Sequence, residues 1–440
     1  MSISTQVQWE QYAIDFDSGE IDFKNGKLHA VNASQVNGTA MRVLDNGKIG
    51  FVSSSESGIQ KDALIQKAAE AAQSGSAYHG QFASSDEFCS QETPFDSSLR
   101  SMSVQDMTAR ALREVQLVQE HVGDAVVDAS ISASAGSISI KNHNGVDIRY
   151  KKSIFSFAVA TQIIEDTSFF YAYSYVNRAH NVDDLRAVTR KLLDQLVLSR
   201  TPMTVETGQY PVLFTPNAVA SLILTMRYAL DAHAVARGIS PLAGKIGKQS
   251  FDERFTLIDD PLRSDSPLIA PCDDEGVAYR TKNIVASGVL NTYITDLDGA
   301  ARLNMEPTGN ALRCNPFTQQ MYDYNSKPAP WPTNWSVKPG DQLSAVMRDD
   351  IRKGVLVDQL LGLHTGNLLN GDFSCTISTG YVVEKGSVVG RIKDCVVSGN
   401  IYSILKNNLI GFSSDTETVD HTGVHTFPHM YCKDISIAAK

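Results

Sequence analysis

Three histidines and a thiol near the C-terminal end, His421, His425, His429 and Cys432, are the residues of this chain best suited by type to hold a metal. Imidazole nitrogen and thiolate sulfur are the usual zinc donors, and a four-residue interval would set successive donors along one helix face. Gly423 and Pro428 interrupt the stretch, so the sequence predicts a loop running into a last strand over Asp434 to Ala438, where equal spacing no longer means one face. A second set, Asp273, Asp274 and Glu275, has the chemistry of a hard-cation site or a general base. It ends at Gly276 and has no further ligand type at suitable spacing, so the expectation is a solvated turn whose acids cap backbone amides. His233 stands alone near the end of an apolar helix, where a packing role beside the terminal carbonyls is expected. The glycines of Gly362 to Gly366 have no strand-to-helix phosphate context, and no GxSxG elbow is present. Pro328 to Pro332, with Trp331 and Trp335, reads as a rigid, partly exposed loop packed by its aromatics. The residues themselves therefore assign no catalytic, cofactor-binding or metal-binding position.

The elements that would position these groups follow from size and patterning. A chain of 440 residues exceeds one compact core, and 42% hydrophobic with 20% charged residues is a globular composition. The net charge of -10 argues against a direct nucleic-acid surface, and the densest basic stretch, Arg149 to Lys152, reads as an exposed turn. The polar start, Met1 to Glu10, has no signal-peptide core, and the longest apolar run, Ala218 to Met226, is far too short to span a membrane. Six scattered cysteines, Cys89, Cys272, Cys314, Cys375, Cys395 and Cys432, form no CxxC pair and suggest reduced thiols in a cytoplasmic protein.

Along the chain, strands are expected from Glu20 to Ser55, broken by hairpin turns at Asn25-Gly26, Asn37-Gly38 and Asn46-Gly47. Helices are expected at Asp62 to Ala72, at Val104 to His121 (capped by Ser103, stopped by Gly123) and at Asp183 to Leu198. Further strands fall between the last two, giving two related meander-plus-helix units at roughly 1–75 and 125–200. Thr201-Pro202 marks a domain boundary, dividing an α+β domain at 1–200 from a domain at 201–440. The second domain has one apolar helix, Asn217 to His233 opened by Pro216, followed by many short strands, as in a β-rich, barrel-like domain.

Within that domain, Ser240-Pro241-Leu242-Ala243-Gly244-Lys245-Ile246-Gly247, Leu257 to Pro261, Asp273 to Val277, Ile284 to Tyr293, Thr308 to Ala311, Gly362 to Ser374 and Gly399-Asn400 occur in an order that resembles the TldD/PmbA family. The family is described as modulators of DNA gyrase and as peptide-maturation proteases. Its TldD-type chains carry His-Glu-x-x-x-His on the helix entering this domain, a spacing that turns two imidazoles toward one zinc and sets the glutamate beside the metal-bound water. A C-terminal cysteine helps hold that zinc, and Cys432 lies in the corresponding region. The matching helix here, Leu222 to Arg237, has His233 and no glutamate, and none of the ten histidines is followed by Glu. The resemblance therefore implies a PmbA/TldE-type chain with no cofactor of its own. Such a chain would sit in a dimer enclosing a chamber, beside a TldD-like subunit that supplies zinc, or as a homodimer when isolated. Its part would be to help hold an unfolded peptide, added as a strand to a sheet edge. Two alternatives remain open on the residues: an autonomous metallohydrolase built on His421, His425, His429 or Cys432, and a non-enzymatic gyrase modulator or binding protein.

Overall fold

A computed structural model describes residues 7–56, 58–84, 93–122, 125–165, 168–199, 201–315, 318 and 320–439. Cys89 and Gly123 lie outside the described residues.

The first half is built on one antiparallel sheet of seven strands in the order β4-β3-β2-β1-β5-β6-β7. The strands are β1 (Gln8–Lys24), β2 (Lys27–Asp45), β3 (Lys48–Ser54), β4 (Ser76–Ala77), β5 (Val126–Asn142), β6 (Asp147–Glu165) and β7 (Ser168–Arg178). The two meander units of the sequence thus merge through the β1–β5 pairing, which runs from Glu10↔Asn142 to Phe23↔Ala129. Two of the three expected turns are present: Asn25-Gly26 and Asn46-Gly47 both take positive φ, 48° and 72° in each pair, as a two-residue hairpin requires. Asn37-Gly38 is not a turn. It lies inside β2, where a Cβ on Gly38 would come within 2.2 Å of the Tyr324 ring. That glycine serves a close approach from the second half of the chain rather than a reversal.

Alternation assigns the two faces of the sheet. Helices α1 (Lys61–Gln73), α2 (Val104–Val122) and α3 (Arg186–Leu198) cover one face. On α2, Met107, Ala111, Val115 and Val118 recur at helical spacing and pack on Val127, Ala129, Ile131, Phe155 and Phe157. The opposite face, with Tyr12, Ile14, Phe16, Ile138, Ile140 and Tyr150, packs on Leu268, Ala270, Cys272, Tyr279 and Leu312 from the second half.

The C-terminal half contains a closed five-stranded barrel. Gly208–Phe214 pairs with Lys353–Leu361, which pairs with Asp372–Glu384, then Cys395–Asn400, then Val424–Ala439, which returns to Gly208–Phe214. Closure leaves no unpaired rim among these five strands. The chain is therefore mixed α+β, with the barrel where the sequence predicts a β-rich region. Helix Pro216–Ile223 packs Ala218, Val219, Leu222 and Ile223 into the same core as Val212, Phe214, Val355 and Phe427. The expected helix from Asn217 to His233 is not continuous. It tightens over Leu224–Met226, resumes at Arg227–Leu230, breaks at Asp231 (ψ 121°) and restarts at Ala232–Ala236. The break has a cause: the backbone of Ile294 inserts there, donating to the Leu230 carbonyl at 2.9 Å and accepting from the Ala232 N–H at 3.1 Å.

Candidate functional site

Where the sheet meets the barrel half, charge is buried. Arg42 on β2 and Glu10 on β1 form a two-pronged pair, Nε–Oε1 2.9 Å and Nη2–Oε2 2.7 Å, and the third guanidinium nitrogen reaches Glu275 Oε1 at 2.6 Å. Arg313 adds a longer contact to Glu10 at 3.4 Å, and all four side chains are buried. Paired guanidinium and carboxylate with parallel hydrogen bonds is the arrangement in which burying both ions is tolerable. The cluster ties strands from near the start of the chain to loops some 230 residues later.

The Asp273–Glu275 segment is a turn, with Gly276 at φ +80°, and its acids do cap backbone amides. Asp273 accepts from the N–H groups of Glu275, Val277 and Ala311 at 2.9–3.0 Å, Asp274 from that of Arg313 at 2.6 Å, and Glu275 from that of Leu297 at 2.7 Å. Contrary to the expectation of a solvated turn, all three are buried, at 1%, 2% and 1% exposure. Burial pushes the Asp274 carboxyl up to about 6. A turn pattern specifies backbone shape; it does not say that another layer will close over it.

The expected exposed turn at Arg149–Lys152 is instead part of β6, and Lys152 points inward at 2% exposure. Its ammonium donates to the backbone carbonyls of Pro267, at 2.7 Å, and of Ile269, crossing from the sheet to the second half. Burial lowers its pKa to about 7. Its place was readable in principle: Ile148, Tyr150 and Lys152 alternate as inward positions of one strand.

Next to this contact opens a cavity of about 510 Å3 between the sheet and the second half. Phe16, Ile154 and Tyr322 give it an apolar floor, and Ser134, Ser156 and Asn177 place hydroxyl and amide groups along it. Several of these are already bonded, Ser134 to Ser18 at 2.9 Å and Ser156 to Asn177 at 3.1 Å. Among the described residues, no carboxylate, lysine or arginine lines the cavity. A space of this size and lining suits uncharged, partly apolar groups. Among the described residues it presents no nucleophile hydrogen-bonded to a base.

His421 stands on the turn between the last two long strands and lines this cavity. His425 is fully buried on strand Val424–Ala439, its Nδ1 accepting from the Trp335 N–H at 2.9 Å, and burial lowers its pKa to about 3. His429 follows on the same strand, about 13 Å further along at a strand's rise per residue. Its Nδ1 faces Asp415 at 3.7 Å. Cys432 is buried opposite Val212, and burial pushes its thiol well above the usual range. A turn and a strand spread these four residues, His421 on the turn and the other three on the strand, as the expected loss of helix implied, although the strand starts ten residues before Asp434. They do not fit a zinc ion: one ring nitrogen is already bonded, the thiol is held neutral, and the four do not converge. Among the described residues, no group of three His, Cys, Asp or Glu side chains is arranged to hold a metal.

His233 lies in the first turn of Ala232–Ala236, where Asp231 caps its N–H at 2.7 Å. It does not face terminal carbonyls as expected. Its Nε2 sits 2.9 and 2.8 Å from the two oxygens of Asp296, which itself caps helix Leu297–Leu303. That hydrogen bond raises its pKa above the ordinary histidine value. The two tryptophans expected in a partly exposed loop are both buried, Trp335 completely.

Residues 207–439 match the PmbA/TldA metallopeptidase C-terminal domain, and residues 10–74 match domain 1 of the same family. The chain belongs to the PmbA/TldD family. It is 30% identical to an uncharacterised protein of Methanocaldococcus jannaschii over 282 residues, 64% of this chain and 63% of that one. A metalloprotease of Methanothermobacter thermautotrophicus is 24% identical over 410 residues, 90% of this chain and 86% of that one. A Haemophilus influenzae protein named metalloprotease PmbA homolog is 28% identical over 216 residues, 48% of this chain and 43% of its own length. Among solved structures, TldE from Thermococcus kodakarensis superposes with a TM-score of 0.86 at 20% identity, covering 98% of this chain and 97% of that one. At that identity the likeness is one of fold. No described helix is long and apolar enough to cross a membrane.

Proposed function

We propose that this chain is the non-metal, TldE-type subunit of a TldD/TldE-like metallopeptidase that cleaves unfolded peptides. The observation that carries the reading is the helix entering the C-terminal half. In place of His-Glu-x-x-x-His it has a backbone break at Asp231 and a single imidazole, His233, bonded to Asp296. The zinc motif needs two imidazoles and an adjacent glutamate on this segment. This segment has one imidazole and no glutamate. In the proposed complex, zinc and the glutamate base come from the TldD-like partner, and this chain contributes chamber wall and peptide contacts.

The cavity between the sheet and the barrel half supports a peptide-holding role. Its uncharged, part-apolar lining accepts many side chains without selecting for charge. The division at 1–200 and 201–440 belongs to the same proposal, with the cavity and the buried Arg42–Glu10–Glu275 cluster lying between the two parts. A cytoplasmic location is proposed with it.

Reconstitution tests the reading. The chain alone and a TldD-type chain alone are each incubated with an unstructured peptide, and then the two together. Faster hydrolysis by the mixture than by the summed single chains is expected. Full activity from this chain alone would remove the proposal.

A further inference from the structure

Two enclosed guanidinium groups, those of Arg42 and Arg178, each bond a carboxylate, Arg42 that of Glu10 at 2.7 Å and Arg178 that of Asp420. Arg227, half-buried at the start of the helix segment Arg227–Leu230, has no carboxylate partner among the described residues. Its Nη2 donates to the Tyr228 hydroxyl at 2.7 Å, and the group lies over two rings, 3.8 Å from the centroid of Trp331 and 4.2 Å from that of Tyr228. The nearby Asp231 is engaged elsewhere: its Oδ1 accepts from the N–H groups of His233 at 2.7 Å and Ala234 at 3.4 Å. A guanidinium held by its face keeps its edge N–H groups available for a planar, two-pronged acceptor. Leaving such a cation partly enclosed and unmatched is costly.

Contacts on two sides place this group at one end of the cavity between the sheet and the barrel half. Trp331, on which it stacks, donates from Nε1 to the Thr422 hydroxyl at 3.4 Å, and both Thr422 and His421 line the cavity. On the other side is Cys314, which bridges to Met321, a further lining residue. Burial pushes the Cys314 thiol up to about 11, and the Arg227 charge opposes that rise. Burial, and after it the Arg227 charge, lowers the His421 pKa, so that ring is neutral at pH 7. No described group bonds the His421 ring, which leaves it an N–H to donate.

We propose that this end of the cavity binds the carboxy-terminal carboxylate of a peptide, with Arg227 taking the two oxygens and the cavity taking the last side chain. His421 adds an N–H from the cavity wall. The proposal rests on the peptide-holding reading above and names the class of peptide: one with a free carboxy terminus and an apolar or aromatic last residue. The pairing of an unmatched cation with an uncharged, part-apolar space selects that class, because a terminal residue carries a carboxylate and an apolar side chain on the same carbon. An internal Asp or Glu would leave continuing backbone on both sides to be housed in the same space.

Titration of the full chain with a labelled, unstructured peptide ending in phenylalanine tests it, the peptide being used as the free acid and as the terminal amide. The acid is expected to bind at least about tenfold more tightly than the amide, as a charge-assisted pair of hydrogen bonds implies. In Arg227→Met the two forms are expected to bind alike, with unchanged circular dichroism. Arg227→Lys keeps the charge without the fork and is expected to retain part of the preference. The readout is a ratio within one protein, so an overall loss of binding in a variant does not obscure it. Equal binding of acid and amide by the wild type would overturn the anchor and leave the peptidase reading standing, since reconstitution with a TldD-type chain decides that separately. Binding of neither form would overturn the anchor and the peptide-holding role together. Two other results would also overturn the anchor: an undiminished preference in Arg227→Met, or an amidated peptide with an internal glutamate binding as tightly as the free acid.

Discussion

The barrel and the N-terminal sheet face the same difficulty, unpaired backbone at the margins of β-structure, and resolve it in opposite ways. The barrel closes on itself through Gly208–Phe214 and Val424–Ala439, so each of its five strands has a neighbour on both sides. The sheet remains open. Helices cover one face, the barrel half covers the other, side chains seal the β7 edge, and among the described residues nothing pairs with the outer side of one length of β2. The barrel is therefore stable within its own ladder, whereas the sheet depends on what packs against it. The contact between the two, with its buried charges and the adjoining cavity, is where the account is most easily broken.

Arg42→Ala should have the largest effect. It leaves Glu10 and Glu275 buried without their shared partner, and breaking a buried pair from one side costs about 3–5 kcal/mol. Urea unfolding should show that loss; a change below about 1 kcal/mol would mean that the sheet does not depend on this contact. Gly38→Ala comes next. The added methyl meets the Tyr324 ring, and overpacking of this kind costs about 1–3 kcal/mol. The same exchange at Gly47, where positive φ is required but nothing crowds the Cβ, should show the cost of backbone strain alone.

The last effect concerns pH. Folding lowers the Lys152 pKa from 10.5 to about 7, so between those values the unfolded chain holds a proton that the folded chain has released. Stability from this residue is complete above about 10.5, falls with pH and is lost through about 7. Relative to wild type, Lys152→Met should flatten the rise in Tm between pH 7 and 10. An unchanged slope would mean that the amine does not titrate in that window.

The sequence carried the local structure well where one residue's conformation decides it. Asn25-Gly26 and Asn46-Gly47 are turns because two successive residues take positive φ. Asn37-Gly38 has the same letters and is strand, because Tyr324, distant in sequence, requires the missing Cβ. The order of motifs from Ser240 onward identified the family, and the run of short strands anticipated the barrel. Burial was harder to read. Asp273–Glu275 has turn chemistry whether or not it is solvated, and only the packing of the sheet against it decides which. The helix through Asp231 was expected to continue because its residues favour helix, and the inserted Ile294 backbone overrides that preference. The four C-terminal candidates were correctly denied a helix, yet their fate on a turn and a strand, with His425 taken up by the Trp335 N–H, depends on a partner ninety residues away.

Metal content per chain tests the central claim most directly, by elemental analysis of tag-free protein purified without a partner. The account predicts a value near zero, because the segment in the zinc-motif position has one imidazole and no glutamate, and the C-terminal histidines and Cys432 do not converge. A value near one metal per chain would contradict it and make this chain a metalloprotein in its own right.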